Sequence, residues 1–203
     1  MTDRETAYRG LSRAAWGYFL LFFNFSLSRV NLLPAFAGWL LLRSACTGLA
    51  ALRRDLTLLR PLCMLLAVWN GVDWVLSWGG GGRGEWLFPL TVLAGVVTLY
   101  FHFQFLTDMA ALAEAHQPEG DGLDRRLRTR RTVLVVAATA ASLLSAVAER
   151  LPEDVRAVAA FLLVVVGCGA ALLVMLALFA LRRCFREEET EEKAEEKEET
   201  ETE

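Results

Sequence analysis

Six stretches of mostly apolar residues, separated by polar and charged segments, constrain the fold of this 203-residue chain more than any other feature. A helix that crosses a membrane needs about 20 consecutive, mostly apolar residues. The predicted spans are 12–28, 32–52, 61–78, 86–107, 132–150 and 155–181. The chain is 55% hydrophobic, which is more than a soluble domain requires. The sequence therefore predicts an all-α, polytopic membrane helix bundle of about six transmembrane helices.

The C-terminal segment differs sharply in composition from the rest of the chain. Residues 187–203 contain eleven Glu and two Lys, and they offer no apolar face that could be buried. Without such a face, nothing offsets the entropy cost of ordering the segment. We predict two parts: a transmembrane helical domain at residues 1–186 and a disordered, acidic tail at residues 187–203.

The basic residues predict which side of the membrane each loop occupies, because loops rich in Lys and Arg remain in the cytoplasm. With the N-terminus inside, sixteen Lys and Arg fall in cytoplasmic segments, and four fall on the opposite side. Those four are Arg29, Arg83, Arg150 and Arg156. The bias predicts a multi-pass protein of the plasma membrane with both termini in the cytoplasm.

Polar residues inside apolar spans are candidates for function, because hydrocarbon penalises each of them by a few kcal/mol. Four of them fall in or near the outer halves of spans one to three and form a candidate polar pocket: Asn24, Arg29, Asn70 and Asp73. The pocket would bind a small solute or an ion. The alternative is a structural ion pair that joins three helices, with Arg29 or Arg43 as the cation beside Asp73. We favour the structural alternative.

Two further patterns concern helix packing. His102 and Gln104 lie in span four, about 200° apart around a helix, so they cannot line one narrow site. A single histidine in a membrane helix favours a helix–helix hydrogen bond over a proton relay.

Small residues in span six, such as Gly167 and Gly169, would face the alanine-rich span five. Such faces permit close approach and predict a tight hairpin of spans five and six.

No motif specifies a reaction. The chain lacks the HExxH and GxSxG patterns and has no paired Glu within a span. We predict no enzyme activity, no catalytic residue, no cofactor and no metal site.

The expected role is that of a non-enzymatic membrane protein. Its expected partners are the lipid bilayer and a membrane or cytoplasmic protein. Nucleic acid is excluded as a partner because the acidic tail would repel it. The alternative is a small-solute transporter or a substrate-binding membrane subunit. Oligomeric state, substrate and partner identity do not follow from the sequence.

The residues from Trp16 to Phe25, followed by Val30-Asn-Leu-Leu-Pro-Ala-Phe-Ala-Gly-Trp, resemble the N-terminal hairpin of a family of small bacterial membrane proteins of the Gram-positive type. Asn31, Pro34 and Gly38 carry this resemblance, which covers about 30 residues and reaches no catalytic residue. It implies a location in a bacterial plasma membrane and implies no activity.

Overall fold

A computed structural model describes residues 3–23, 26–27, 30–31, 34–78, 87–117, 122–147 and 150–202, with side chains described in 5–23, 34–76, 87–117, 122–147 and 150–186. These residues form six helices and two short strands in the connection between the first two helices. The helices are α1 (Asp3–Phe22), α2 (Ala35–Leu49), α3 (Leu56–Trp78), α4 (Phe88–His116), α5 (Leu123–Val147) and α6 (Glu153–Thr202). Strands β1 (Ser26–Leu27) and β2 (Val30–Asn31) pair antiparallel, with Ser26 opposite Asn31 and Leu27 opposite Val30.

The predicted fold class is confirmed, since each predicted span corresponds to one helix of a helical bundle. Four of the described helical segments are long and apolar enough to cross a membrane: Leu56–Leu76, Phe88–His116, Leu123–Val147 and Glu153–Arg186. Helix α2 has 15 residues and is a shorter apolar helix, about 22 Å long at about 1.5 Å per residue. The chain is therefore a membrane-embedded helical protein with four long apolar helices.

Glycines bring α1 and α2 unusually close together. A Cβ atom added to Gly38 would lie 2.9 Å from the carbonyl oxygen of Gly17, and one added to Gly17 would lie 2.9 Å from Leu42 Cγ. The same pattern recurs about two to three turns further along, where Gly48 faces the Thr6 carbonyl oxygen and Gly10 faces Leu49. Because small residues allow helix backbones to approach, these four glycines explain the tight α1–α2 pair.

The basic residues of four helices and one loop collect at one end of the bundle. Three contacts between neighbouring elements hold this arginine-rich end together: Arg182 with Tyr8, Arg53 with Asp108, and Arg128 with Glu114. Most of the buried core also belongs to this end, including Leu11 and Leu59 and residues 101–113 of α4. The arginine-rich end is therefore the packed part of the bundle.

The opposite halves of the long helices are much less buried among the described residues. Phe88, Leu143 and Phe161 are exposed by 66%, 64% and 68%.

The hairpin of α5 and α6 is more open than predicted. A Cβ added to Gly167 or Gly169 would meet no atom within 4 Å. Gly167 also lines a cleft of about 680 Å³ between the two helices. Small residues on facing helices permit close packing but do not enforce it.

The backbone of residues 187–202 differs from the predicted disordered tail, because α6 continues through these residues as one 50-residue helix. Glu, Lys and Ala all have high intrinsic helix propensity. They also extend a helix that the apolar part of α6 has already nucleated, so the unfavourable first turn does not have to form again. The composition change at residue 187 therefore marks a change in charge and not the end of a helix.

Candidate functional site

The structure describes half of the predicted polar pocket. Asn24 and Arg29 lie outside the described residues. Asn70 and Asp73 both lie on α3, where the Asn70 side-chain amide donates to the carbonyl oxygen of Leu66 at 2.8 Å and the Asp73 side chain is exposed. Asn70 thus satisfies its amide within its own helix.

The structure places Arg43, on α2, near Cys63 of α3. It is close enough to Cys63 to act on it electrostatically. Asp73 lies ten residues further along α3, which is about 15 Å at about 1.5 Å per residue. Among the residues described with side chains, no ion pair joins Arg43 to Asp73, and Arg29, the other cation predicted for Asp73, lies outside the described residues.

His102 joins two helices in an aromatic environment. Its Nδ1 lies 3.1 Å from the hydroxyl oxygen of Tyr18 on α1, and both side chains are buried. The rings of Phe22, Trp39 and Phe101 each lie 5.7 Å from the imidazole, centroid to centroid. This geometry agrees with the interpretation of His102 as a helix–helix hydrogen bond, and it leaves the imidazole without contact with a described cavity.

A buried carboxylate at the arginine-rich end escaped the sequence analysis. Asp108 is 1% exposed, accepts from the Gln104 amide at 3.3 Å, and lies 3.9 Å from a guanidinium nitrogen of Arg53. The i,i+4 spacing of Gln104 and Asp108 was the available signal, because such pairs share one helix face. The contact with Arg53 depends on how the α2–α3 loop folds, which local spacing does not reveal. The Asp108 side chain is 2% exposed and that of Arg53 is 37% exposed, and their contact joins the α2–α3 loop to α4, so we interpret the cluster as structural.

A groove between α3 and α4 has a volume of about 1100 Å³, larger than the cleft of about 680 Å³ between α5 and α6. Its walls are apolar side chains of the two helices, and we call it the α3–α4 groove. It is lined by Arg43, Arg60, Pro61, Met64, Leu65, Val68, Trp69, Val72, Leu76, Leu87, Leu90, Leu93 and Ala94. The sequence analysis did not predict the α3–α4 groove, because the groove depends on the distance between α3 and α4, which no local pattern reveals.

Two cations lie among the groove's otherwise apolar lining, Arg43 from α2 and Arg60 from α3. Arg60 is near the start of α3 at the arginine-rich end, and Leu76 is about 24 Å further along the helix at about 1.5 Å per residue. Within the part of the chain that the structure describes, neither guanidinium has a carboxylate within 4 Å. The groove is therefore amphipathic along its length, with positive charge towards one end.

The chemistry of this lining favours binding. A guanidinium carries a positive charge and presents five N–H donors, so Arg43 and Arg60 attract an anion. The remaining side chains fit hydrocarbon. No group of three or more His, Cys, Asp or Glu that could hold a metal ion occurs among the residues whose positions are described.

No family model matches this chain, and neither the curated proteins nor the solved structures contain a significant match to it.

Proposed function

We propose that this protein is a non-enzymatic membrane protein that binds anionic phospholipid in the α3–α4 groove. The observation that carries the proposal is the pair of guanidiniums, Arg43 and Arg60, in a groove whose other walls are apolar. An acyl chain occupies the apolar walls, and the phosphate of the headgroup lies against the two cations. Basic pockets between transmembrane helices are a known means of holding such headgroups.

The orientation we propose fits this role. The sixteen Lys and Arg against four support both termini in the cytoplasm, six passes, and a cytoplasmic arginine-rich end. Arg60 then lies towards the cytoplasmic leaflet, which carries the anionic lipids. The plasma membrane of a bacterium is the proposed location, and its support is the resemblance of the N-terminal hairpin.

The proposed role acts through the membrane and through other proteins in it. A lipid held between α3 and α4 completes the surface of the loosely packed half of the bundle, where side chains such as Phe88 and Leu93 are exposed. A membrane or cytoplasmic protein partner then meets a lipid-dependent surface.

The test is lipid binding to the purified protein by native mass spectrometry, with phosphatidylglycerol and phosphatidylcholine compared. Each charge near a headgroup contributes about 1 kcal/mol, so Arg43→Gln/Arg60→Gln should lose about 2 kcal/mol, or roughly 30-fold in affinity for phosphatidylglycerol. Affinity for phosphatidylcholine should change much less.

The matched control is Arg54→Gln/Arg150→Gln, which removes the same charge from two exposed positions outside the groove. It should bind phosphatidylglycerol like the wild type. Equal losses in the two double variants would show that net charge, and not the groove, determines binding, and the proposal would then be abandoned.

A further inference from the structure

A second cavity lies on another side of the bundle, between α1 and α6 at the arginine-rich end. Its volume is about 380 Å³, and its lining is mainly polar. The lining residues are Tyr8, Phe179, Arg182, Arg183 and Arg186, which we call the α1–α6 pocket. Three of these five side chains are guanidiniums that fall within five residues of α6, so an anion is the ligand that this pocket fits.

Arg182 is held in one position before any ligand arrives. Its guanidinium carbon lies 4.0 Å from the centre of the Tyr8 ring and 5.9 Å from that of Phe179. The guanidinium also donates to the Tyr8 hydroxyl and, at 3.5 Å, to the Ser12 hydroxyl. Stacking on a ring is a favourable arrangement for arginine. A cation that is already ordered loses less entropy when it binds an anion.

The hydrogen-bonding capacity of Arg182 is only partly used. A guanidinium has five N–H donors, and its described contacts with Tyr8 and Ser12 occupy two of them. Among the residues described with side chains, neither Arg182 nor Arg183 has a carboxylate within 4 Å. Donors therefore remain for an oxyanion at both positions.

The geometry points to a phosphate-binding site in the α1–α6 pocket, with Arg182 as the ordered cation and Arg183 as the second. Phosphate suits it because planar guanidiniums bind phosphate oxygens through two parallel hydrogen bonds. The volume is sufficient for a phosphoryl group with a small substituent, which is near the lower limit of ordinary ligand sites. The phosphate belongs either to a lipid headgroup or to a water-soluble phosphate ester. This site is separate from the α3–α4 groove and does not depend on the proposed function.

The test uses isothermal titration of the full chain in detergent, in the Arg43→Gln/Arg60→Gln background so that binding in the α3–α4 groove does not contribute. The probes are inorganic phosphate, glycerol 3-phosphate and dioctanoyl phosphatidic acid. Arg182→Gln should raise the Kd at least tenfold for every probe that binds, and Arg183→Gln should raise it several-fold. Arg54→Gln, at an exposed position outside the pocket, should leave it unchanged.

The outcomes separate the two sources of phosphate. Similar Kd values for glycerol 3-phosphate and dioctanoyl phosphatidic acid assign the site to a soluble ester, and binding of the lipid alone assigns it to a headgroup. If Arg182→Gln does not fold, Arg183→Gln decides, because the Arg183 side chain is exposed and its loss leaves the packing intact. Absence of binding by all three probes, or equal Kd values for Arg183→Gln and Arg54→Gln, overturns the proposal.

Discussion

Gly38→Leu is expected to lower the free energy of unfolding by about 3 kcal/mol or more, at the upper end of the range for overpacked sites. The first carbon of the new side chain would lie 2.9 Å from the Gly17 carbonyl oxygen and 2.9 Å from Leu21 Cγ. A backbone oxygen cannot rotate away as a side chain can, so α1 and α2 must separate. Separation would also disturb the neighbouring contact between Gly17 and Leu42. The measurement is unfolding of the detergent-solubilised protein by heat or by sodium dodecyl sulfate.

Gly167→Leu is the matched control for this prediction. It makes the same substitution in a helix, but an added Cβ there meets no atom within 4 Å. Helix propensity favours leucine over glycine by up to about 1 kcal/mol, so stability should be unchanged or slightly raised. Equal destabilisation by the two substitutions would show that α1 and α2 are not packed as closely as described.

Arg53→Met is expected to destabilise the protein by about 1 to 2 kcal/mol, between the costs for an exposed and a buried ion pair, because the buried Asp108 carboxylate loses a cation that is itself 37% exposed. The Asp108 side chain is 2% exposed, and its other described polar partner is the Gln104 amide. Removal of one member of a buried ion pair costs more than replacement of both, since the remaining charge is left in an apolar environment. The same unfolding measurements apply.

A double variant separates the ion pair from simple loss of packing. Arg53→Met/Asp108→Leu removes both charges and should recover most of the stability lost in Arg53→Met. Arg54→Met, at the next and exposed position of the same loop, should have little effect. The single variant Asp108→Leu completes the comparison. If the double variant lost as much stability as Arg53→Met and Asp108→Leu added together, Arg53 and Asp108 would not interact.

The sequence predicted the helices better than the spaces between them. The six apolar stretches correspond to six helices, and four of the described helical segments are long and apolar enough to cross a membrane, where hydrocarbon tolerates no unpaired backbone groups and so favours helix formation. The distances between helices depend on particular residues. Gly17 and Gly38 create a close contact, whereas Gly167 lines an open cleft, and the same residue type gives no local signal of which will occur.

The candidate sites, like the spaces between helices, were predicted less well from the sequence than the helices were. Asn70 and Asp73 stood out as polar residues in an apolar span, but the Asn70 amide is satisfied by the Leu66 carbonyl oxygen one turn away. Arg60 carried no signal, because an arginine at the end of a span is expected from topology alone. Its importance follows from the groove it lines with Arg43, and that groove depends on the separation of α3 and α4. Tyr8 and Arg182 are 174 residues apart in sequence, so only the folded chain reveals their contact.

Photo-crosslinking in the native membrane tests the central claim most directly. A photoreactive side chain at Val68, which is 57% exposed and lines the α3–α4 groove, reports what occupies it. Val165 on α6 is similarly exposed, at 52%, and lies outside the described cavities, so it reports the bulk lipid. We predict adducts enriched in anionic phospholipid at Val68 relative to Val165, and loss of that enrichment in Arg43→Gln/Arg60→Gln. Identical lipid adducts at the two positions, or adducts with protein alone at Val68, would contradict lipid binding in the groove.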